Sequence, residues 1–146
     1  MKIYILAIGK CKHGSPEEEL IKEYQKRLSW ELIIREKDND TKEKEADFLL
    51  KNIVGGAKIV VLDERGENIS SLDFAKRIGD WQLDGVSDIC FLIGGADGHT
   101  EEVRKKADLI LSFGKLTMPH MLIRAVLIEQ IYRAQTILSG HPYHRQ

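Results

Sequence analysis

The sequence predicts a single α/β domain: a mostly parallel sheet with helices on both faces. Three observations predict it. Strand-like and helix-like segments alternate along the whole chain. The strand-like runs IYILAI, KIVVL and ICFLI have no polar alternation, which is the pattern of strands covered on both faces. The chain has 146 residues, 42% hydrophobic and 31% charged, enough for one domain that buries roughly two-thirds of its unfolded surface. No linker, repeat or low-complexity run divides it, so residues 1–146 are read as one domain.

The elements follow in order. Residues 3–8, IYILAI, form a first strand that Gly9 ends. SPEEELIKEYQKRL is a helix with Ser15 as N-cap, Pro16 at the first helical position and Glu18 closing a capping box. Its Leu20, Ile21, Tyr24 and Leu28 share one face. WELIIRE is the second strand. DNDTKEKEADFLLKNI starts as a solvated loop and becomes a helix with Phe48, Leu49 and Ile53 inward. AKIVVLDERG is the third strand. SSLDFAKRIGDWQLDG is a helix that turns Leu72, Ala75, Ile78 and Trp81 toward the core. SDICFLIGG is the fourth strand, TEEVRKKA a short helix and DLILSFG the fifth strand. A long helix, PHMLIRAVLIEQIYRAQTIL, starts at Pro119.

Composition sets limits on partners. The formal net charge is −1, so any nucleic-acid contact must come from a local patch. Cys11 and Cys90 make no metal or redox motif. Cys90, inside an apolar run, reads as a small buried hydrophobe, and no disulfide is expected. The six-residue apolar run at the start lacks a small-residue cleavage site and reads as a strand, not a signal peptide. No run reaches the roughly 18 apolar residues of a membrane helix. The expected compartment is the cytoplasm.

The last helix is apolar nearly all round, through Met121, Leu122, Ile123, Val126, Leu127, Ile128, Ile131, Tyr132, Ile137 and Leu138. Such a helix is buried on more than one side. It is either a central core helix or a homodimer interface, and the second reading is favoured, with two-fold symmetry.

Three loops follow strand ends: LDERGEN, GGADGHT and GKLTMPH. Ligands of open α/β sheets bind outside the carboxyl ends of strands, so all three loops are candidates for one site. GGADG lets backbone come close to a ligand. It is no GxGxxG motif, and no phosphate loop is present. His120 falls in the first turn of the last helix, where the helix end disfavours a protonated imidazole. Arg124, one turn on, needs a partner amid so much apolar surface: an acid such as Glu129 of another chain, or a substrate. The chain then ends HPYHRQ, with His141, Tyr143, His144 and Arg145 in six residues. A dimer built on the last helix projects these residues toward the partner's strand ends.

LIGGADG, FGKLTMPHMLIRAVLIEQIYRA and the terminal HPYHR together resemble the RlmH family of SPOUT-superfamily methyltransferases, over the whole chain. The resemblance implies a C-terminal trefoil knot, a homodimer and methyl transfer from S-adenosylmethionine to N3 of a pseudouridine in 23S ribosomal RNA, on the assembled ribosome. It needs no metal. It places the donor against Leu62, Gly94, Phe113, Gly114, Lys115, Leu116, Thr117 and Met118. The family usually has serine in place of Gly114, and often phenylalanine or leucine in place of Met118. Backbone contacts tolerate both changes. His144, Arg145, Tyr143 and Arg124 are carried over as the residues acting on the target nucleotide. Lys10, Lys12, Arg104, Lys105 and Lys106 are candidates for RNA backbone contacts. The rivals are a ribosome-binding protein without turnover, a methyltransferase of the same fold with another RNA target, and a phosphotransferase, which would need the missing phosphate loop.

Overall fold

In the computed structural model, which describes residues 1–145, five strands and five helices alternate. The strands are β1 (Lys2–Ile8), β2 (Glu31–Lys37), β3 (Lys58–Glu67), β4 (Asp88–Ile93) and β5 (Leu109–Leu111). They form one sheet in the order β2-β1-β4-β3-β5, and every pair is parallel. The helices are α1 (Pro16–Arg27), α2 (Lys42–Lys51), α3 (Ser71–Leu83), α4 (Glu101–Lys105) and α5 (His120–Ser139).

Side-chain alternation divides the core between the two sheet faces. On β1, Ile3, Ile5 and Ala7 join α1, α3 and α5 through Ile21, Phe74, Ile78, Trp81, Leu127, Ile128 and Ile131. Tyr4, Leu6 and Ile8 face the other way, against Ala46 and Leu49 of α2 and Val103 of α4. Only the middle of the sheet is covered on both faces. The edge strand β2 is half-buried along most of its length.

Local chemistry places the helix starts. Ser15 accepts the Glu18 N–H at 3.2 Å. The Glu18 carboxylate reaches back to the Gly14 N–H at 3.1 Å, one residue earlier than in the usual capping box. Thr41, Ser70 and Thr100 cap α2, α3 and α4 in the same way. α5 starts at His120, after Pro119, and has no side-chain cap.

The structure corrects three expectations. Leu72 is exposed, and Phe74 takes its place in the core. Helix α2 buries Glu45, Ala46 and Leu49, with Phe48 and Ile53 only half-buried. β5 has three residues, because the chain turns away at Ser112 to form the loop before α5. Both cysteines are free, Cys90 fully buried and Cys11 half-buried.

Helix α5 packs on α1 and α3 and is anchored by a charge. Arg124 has no exposed surface. One guanidinium nitrogen pairs with Glu36 at the end of β2, and another donates to the Gly9 carbonyl after β1 at 2.8 Å. Glu36 also accepts the Cys11 N–H at 2.8 Å. Replacing Glu36 with alanine strands a buried cation, so Glu36→Ala is expected to lose about 3–5 kcal/mol in urea unfolding. The double variant Glu36→Leu, Arg124→Met is expected to regain most of that loss.

Candidate active site

The strand order reverses at β3. β4 lies on one side of it and β5 on the other, and the connecting helices α3 and α4 pack on opposite faces. Such a reversal opens a crevice at the carboxyl ends of the strands. A cleft of about 370 Å³ lies there. Its walls come from residues 62–65 in the second half of β3, from 93–99 at and after the end of β4, and from 111–114 and 116–118 at and after the end of β5, with His120 and Ile123 of α5 closing one side. These are the three segments singled out in the sequence. LDERGEN, expected as a loop, continues β3 as far as Glu67, which pairs with Leu111.

Of the eight residues that the resemblance assigns to the donor, Leu62, Gly94, Phe113, Gly114, Leu116, Thr117 and Met118 line the cleft. Lys115 is exposed and stands outside it. Gly114 has φ +118°, a backbone conformation that favours glycine. The Ser112 hydroxyl pins this loop: it donates to the Gly114 carbonyl at 2.9 Å and accepts the Gly114 N–H at 3.1 Å.

The glycine loop is packed from below. A methyl group added at Gly94 would stand 3.0 Å from Cε1 of His99, and one at Gly95 would stand 2.7 Å from Oε1 of Glu45. The Glu45 carboxylate is buried and accepts the Asp40 N–H at 2.9 Å. His99 is 6% exposed. Its Nε2 donates to the Leu62 carbonyl at 3.0 Å, which leaves Nδ1 as a buried acceptor without a partner. Burial holds the imidazole below its ordinary value of 6.5, against the pull of the Leu62 carbonyl. At the cleft mouth Asp63 pairs with Arg104 and accepts the Arg65 N–H at 2.9 Å. Burial works against the Asp63 charge, but the Arg65 and Arg104 contacts hold its carboxyl below the usual range.

The residues carried over for the nucleotide are not in this cleft. Arg124 faces Glu36 and Gly9 within its own chain. Glu129, its expected partner from another chain, instead accepts from Arg133 at 2.6 Å and from the Tyr143 hydroxyl at 2.9 Å. Gly140, in the left-handed conformation, ends α5, and the tail folds back on its last turns. Tyr143 packs edge-on to Tyr132, with ring centres 4.7 Å apart, and under the Arg133 guanidinium at 4.8 Å. Arg133 donates to Nδ1 of His144 at 3.1 Å. Burial, with Tyr24 and Glu129 alongside, pushes the Tyr143 phenol well above its ordinary value. Arg145 and His141 are exposed. The tail thus leaves the C-terminal end of α5 and folds back as far as Glu129 at its middle, whereas the cleft meets the first turn of the helix at His120 and Ile123.

Among the candidate RNA contacts, Lys12, Lys105 and Lys106 are exposed, and Lys10 is within 3.5 Å of Asp38. Arg104 is tied to Asp63 and Glu101 and has little free surface. Sequence reasoning did not single out His99, Glu45 or the Asp63–Arg104 pair. His99 sits inside the glycine loop that was read for its backbone, and nothing in the sequence tells a buried histidine from a solvated one there. Among the described residues no cluster could hold a metal ion, and no helix is long and apolar enough to cross a membrane.

A parallel sheet with its cleft at the β3 reversal is the frame of a SPOUT methyltransferase. The family model described as a predicted SPOUT methyltransferase matches residues 1–144, and the chain belongs to that family. Its curated relatives include proteins named Ribosomal RNA large subunit methyltransferase H. The one from Paramagnetospirillum magneticum is 50% identical over 152 residues, covering 99% of each chain. The one from Rhodospirillum centenum is 49% identical over the same span, and the one from Zymomonas mobilis is 47% identical over 146 residues, all of this chain and 99% of that one. Among solved structures, a probable methylase family protein from Haemophilus influenzae superposes with a TM-score of 0.58 at 10% identity, over 99% of this chain and 70% of that one. The SpoU methyltransferase AviRb from Streptomyces viridochromogenes, in complex with AdoMet, gives 0.51 at 12% identity, over 94% and 58%. At those identities the likeness concerns the fold.

The buried imidazole makes stability depend on pH. The unfolded chain takes up a proton at His99 near the ordinary value of 6.5, and the folded chain does so only at lower pH. Stability is therefore fully present above that value and falls as pH drops below it. Urea midpoints measured at about pH 7.5 and about pH 5.5 are expected to drop further in the wild type than in His99→Gln.

Proposed function

We propose that the protein methylates large-subunit ribosomal RNA, taking the methyl group from S-adenosylmethionine held in the cleft at the end of β3. The finer reading is N3 of a pseudouridine in 23S RNA, methylated on the assembled ribosome by a homodimer whose C-terminal half forms the family's trefoil knot. The observation that carries the proposal is the cleft itself, at the carboxyl ends of three parallel strands in a chain of this family: an inner wall of glycine backbone and apolar side chains, with Glu64, Arg65 and Asp97 also in its lining.

The cleft fits the donor. S-adenosylmethionine supplies an electrophilic methyl group on a sulfonium sulfur and carries no phosphate, so it needs shape and backbone hydrogen bonds and no anion nest. Gly94 and Gly95 keep one wall free of side chains because His99 and Glu45 fill the space beneath. Leu62, Phe113 and Met118 supply apolar walls that exclude water. Holding two reactants in near-attack geometry supplies much of the rate of an in-line transfer.

The tail acts on the other reactant. The acceptor N3 is a weakly acidic imide nitrogen that must lose its proton. Nδ1 of His144 accepts from Arg133, so the neutral ring carries its proton on Nε2 and offers a donor there. The Tyr143 phenol keeps its proton and donates to Glu129. These groups suit stabilisation of a developing imide anion by donated hydrogen bonds and the Arg145 charge, rather than removal of the proton by a tail residue. Arg124 is a positioning residue, which seats α5 between cleft and tail.

None of the described tail residues 141–145 lines the chain's own cleft. A second copy solves this. Leu116 is 84% exposed and Leu122 38%. With the half-buried Met121 and Val126 they leave an apolar strip beside the cleft. A two-fold pairing on this strip sets each tail against the partner's cleft. Arg145 and the exposed lysines 12, 105 and 106 then meet RNA phosphates.

Mixing two inactive variants tests the proposal. One lacks residues 141–146. The other carries Met118→Trp, which adds bulk to an apolar wall of the cleft. Alone, neither is expected to methylate ribosomes. Re-associated from a mild denaturant, they are expected to recover a measurable part of wild-type activity, from dimers that pair an intact cleft with an intact tail. No recovery from a mixture that forms dimers would contradict action across the dimer.

A further inference from the structure

His99 is the one buried histidine of the described residues, and the transfer chemistry does not use it. It is built into the wall of the cleft. Its ring lies under Gly94, within 3.0–3.2 Å of any Cβ there. Its Nε2 holds the Leu62 carbonyl at 3.0 Å. Leu62 belongs to β3 and Gly94 to the loop after β4, so this one side chain fixes the spacing of two walls. Its Nδ1 is buried, carries a lone pair in this tautomer and has no partner.

We propose that neutral His99 is a positioning residue for the donor, and that its protonation selectively weakens binding of the cationic donor. The inference rests on reading the cleft as the S-adenosylmethionine site. Two cations, an imidazolium in the wall and a sulfonium in the cleft, oppose each other in a partly dehydrated space. The demethylated product, S-adenosylhomocysteine, is a neutral thioether at the same atom and lacks that repulsion. Acid would then favour product over donor in the cleft and slow turnover without unfolding the protein.

The other charges around His99 do not produce this response. Asp63 of β3 and Arg104 of α4 pair with each other. Glu64 and Arg65 stand on the cleft rim, and Asp97 stands at the tip of the glycine loop. Glu45 of α2 lies under Gly95. In model peptides carboxylates titrate below, and guanidinium groups above, the imidazole range. His120 at the start of α5 is the only other histidine lining the cleft among the described residues. Burial already disfavours the His99 imidazolium, and the Leu62 and Leu92 carbonyls facing the ring oppose that only in part.

The test is calorimetric titration of the full-length protein with S-adenosylmethionine and with S-adenosylhomocysteine, from about pH 8 down to about pH 5.5. Donor affinity is expected to fall toward the limit for one linked proton, about tenfold per pH unit below the folded-state pKa. Product affinity is expected to fall less. His99→Gln, which keeps an N–H for the Leu62 carbonyl and does not titrate, is expected to lose the difference. His120→Gln is expected to keep it. Equal weakening of both ligands in the wild type overturns the proposal without need of any variant, because it means that acid merely loosens the cleft. An unchanged difference in folded His99→Gln also overturns it. Failure of both ligands to bind at about pH 8 is a separate result, which removes the donor-site reading itself.

Discussion

The arrangement of the molecule depends on one buried charge. Arg124 lies in the middle of an apolar interface between α5 and the sheet, and its guanidinium forks between Glu36 and the Gly9 carbonyl. An apolar side chain there would pack as well, but it would let α5 slide. Two directed hydrogen bonds to the ends of two adjacent strands set the helix in one register. That register matters because α5 carries function at both ends. Its first turn brings His120 and Ile123 to the cleft. Its last turns hold the tail through Glu129, Arg133 and Tyr132.

The cleft follows from topology and from two side chains packed below it. The reversal at β3 separates α3 and α4 and leaves the strand ends open. Glycine at 94 and 95 is imposed from below by His99 and Glu45, as much as by any ligand above. The wall is thus backbone, stiffened by buried polar groups whose bonds go to backbone atoms: His99 to the Leu62 carbonyl, Glu45 to the Asp40 N–H, Ser112 to Gly114. Such a wall presents fixed backbone dipoles to the bound donor.

Much of this was legible in the sequence. Apolar runs without polar alternation placed the strands and period-3.6 patterns the helices, and the turn chemistry of Ser15 and Pro16 placed the start of α1. The rule that ligands sit at strand ends picked out the three loops that now line the cleft. Other features were not legible. Leu72 and Phe74 both fit an inward face, and only tertiary packing decides between them. The partner of Arg124 is 88 residues away, and no local pattern reveals a contact of that range. The burial of His99 and Glu45 follows from how α2 and α4 pack under the glycine loop. The folding back of the tail onto Glu129 and Arg133 appears only in the folded chain.

The strand-end segments and the first turn of α5 enclose the donor site on this reading, and the tail serves the RNA. Calorimetric titration with S-adenosylmethionine of the full chain, beside a chain lacking residues 141–146, tests it most directly. The account predicts equal affinity for the two proteins. Loss of donor binding on removal of the tail would contradict it, as would the absence of binding to either protein.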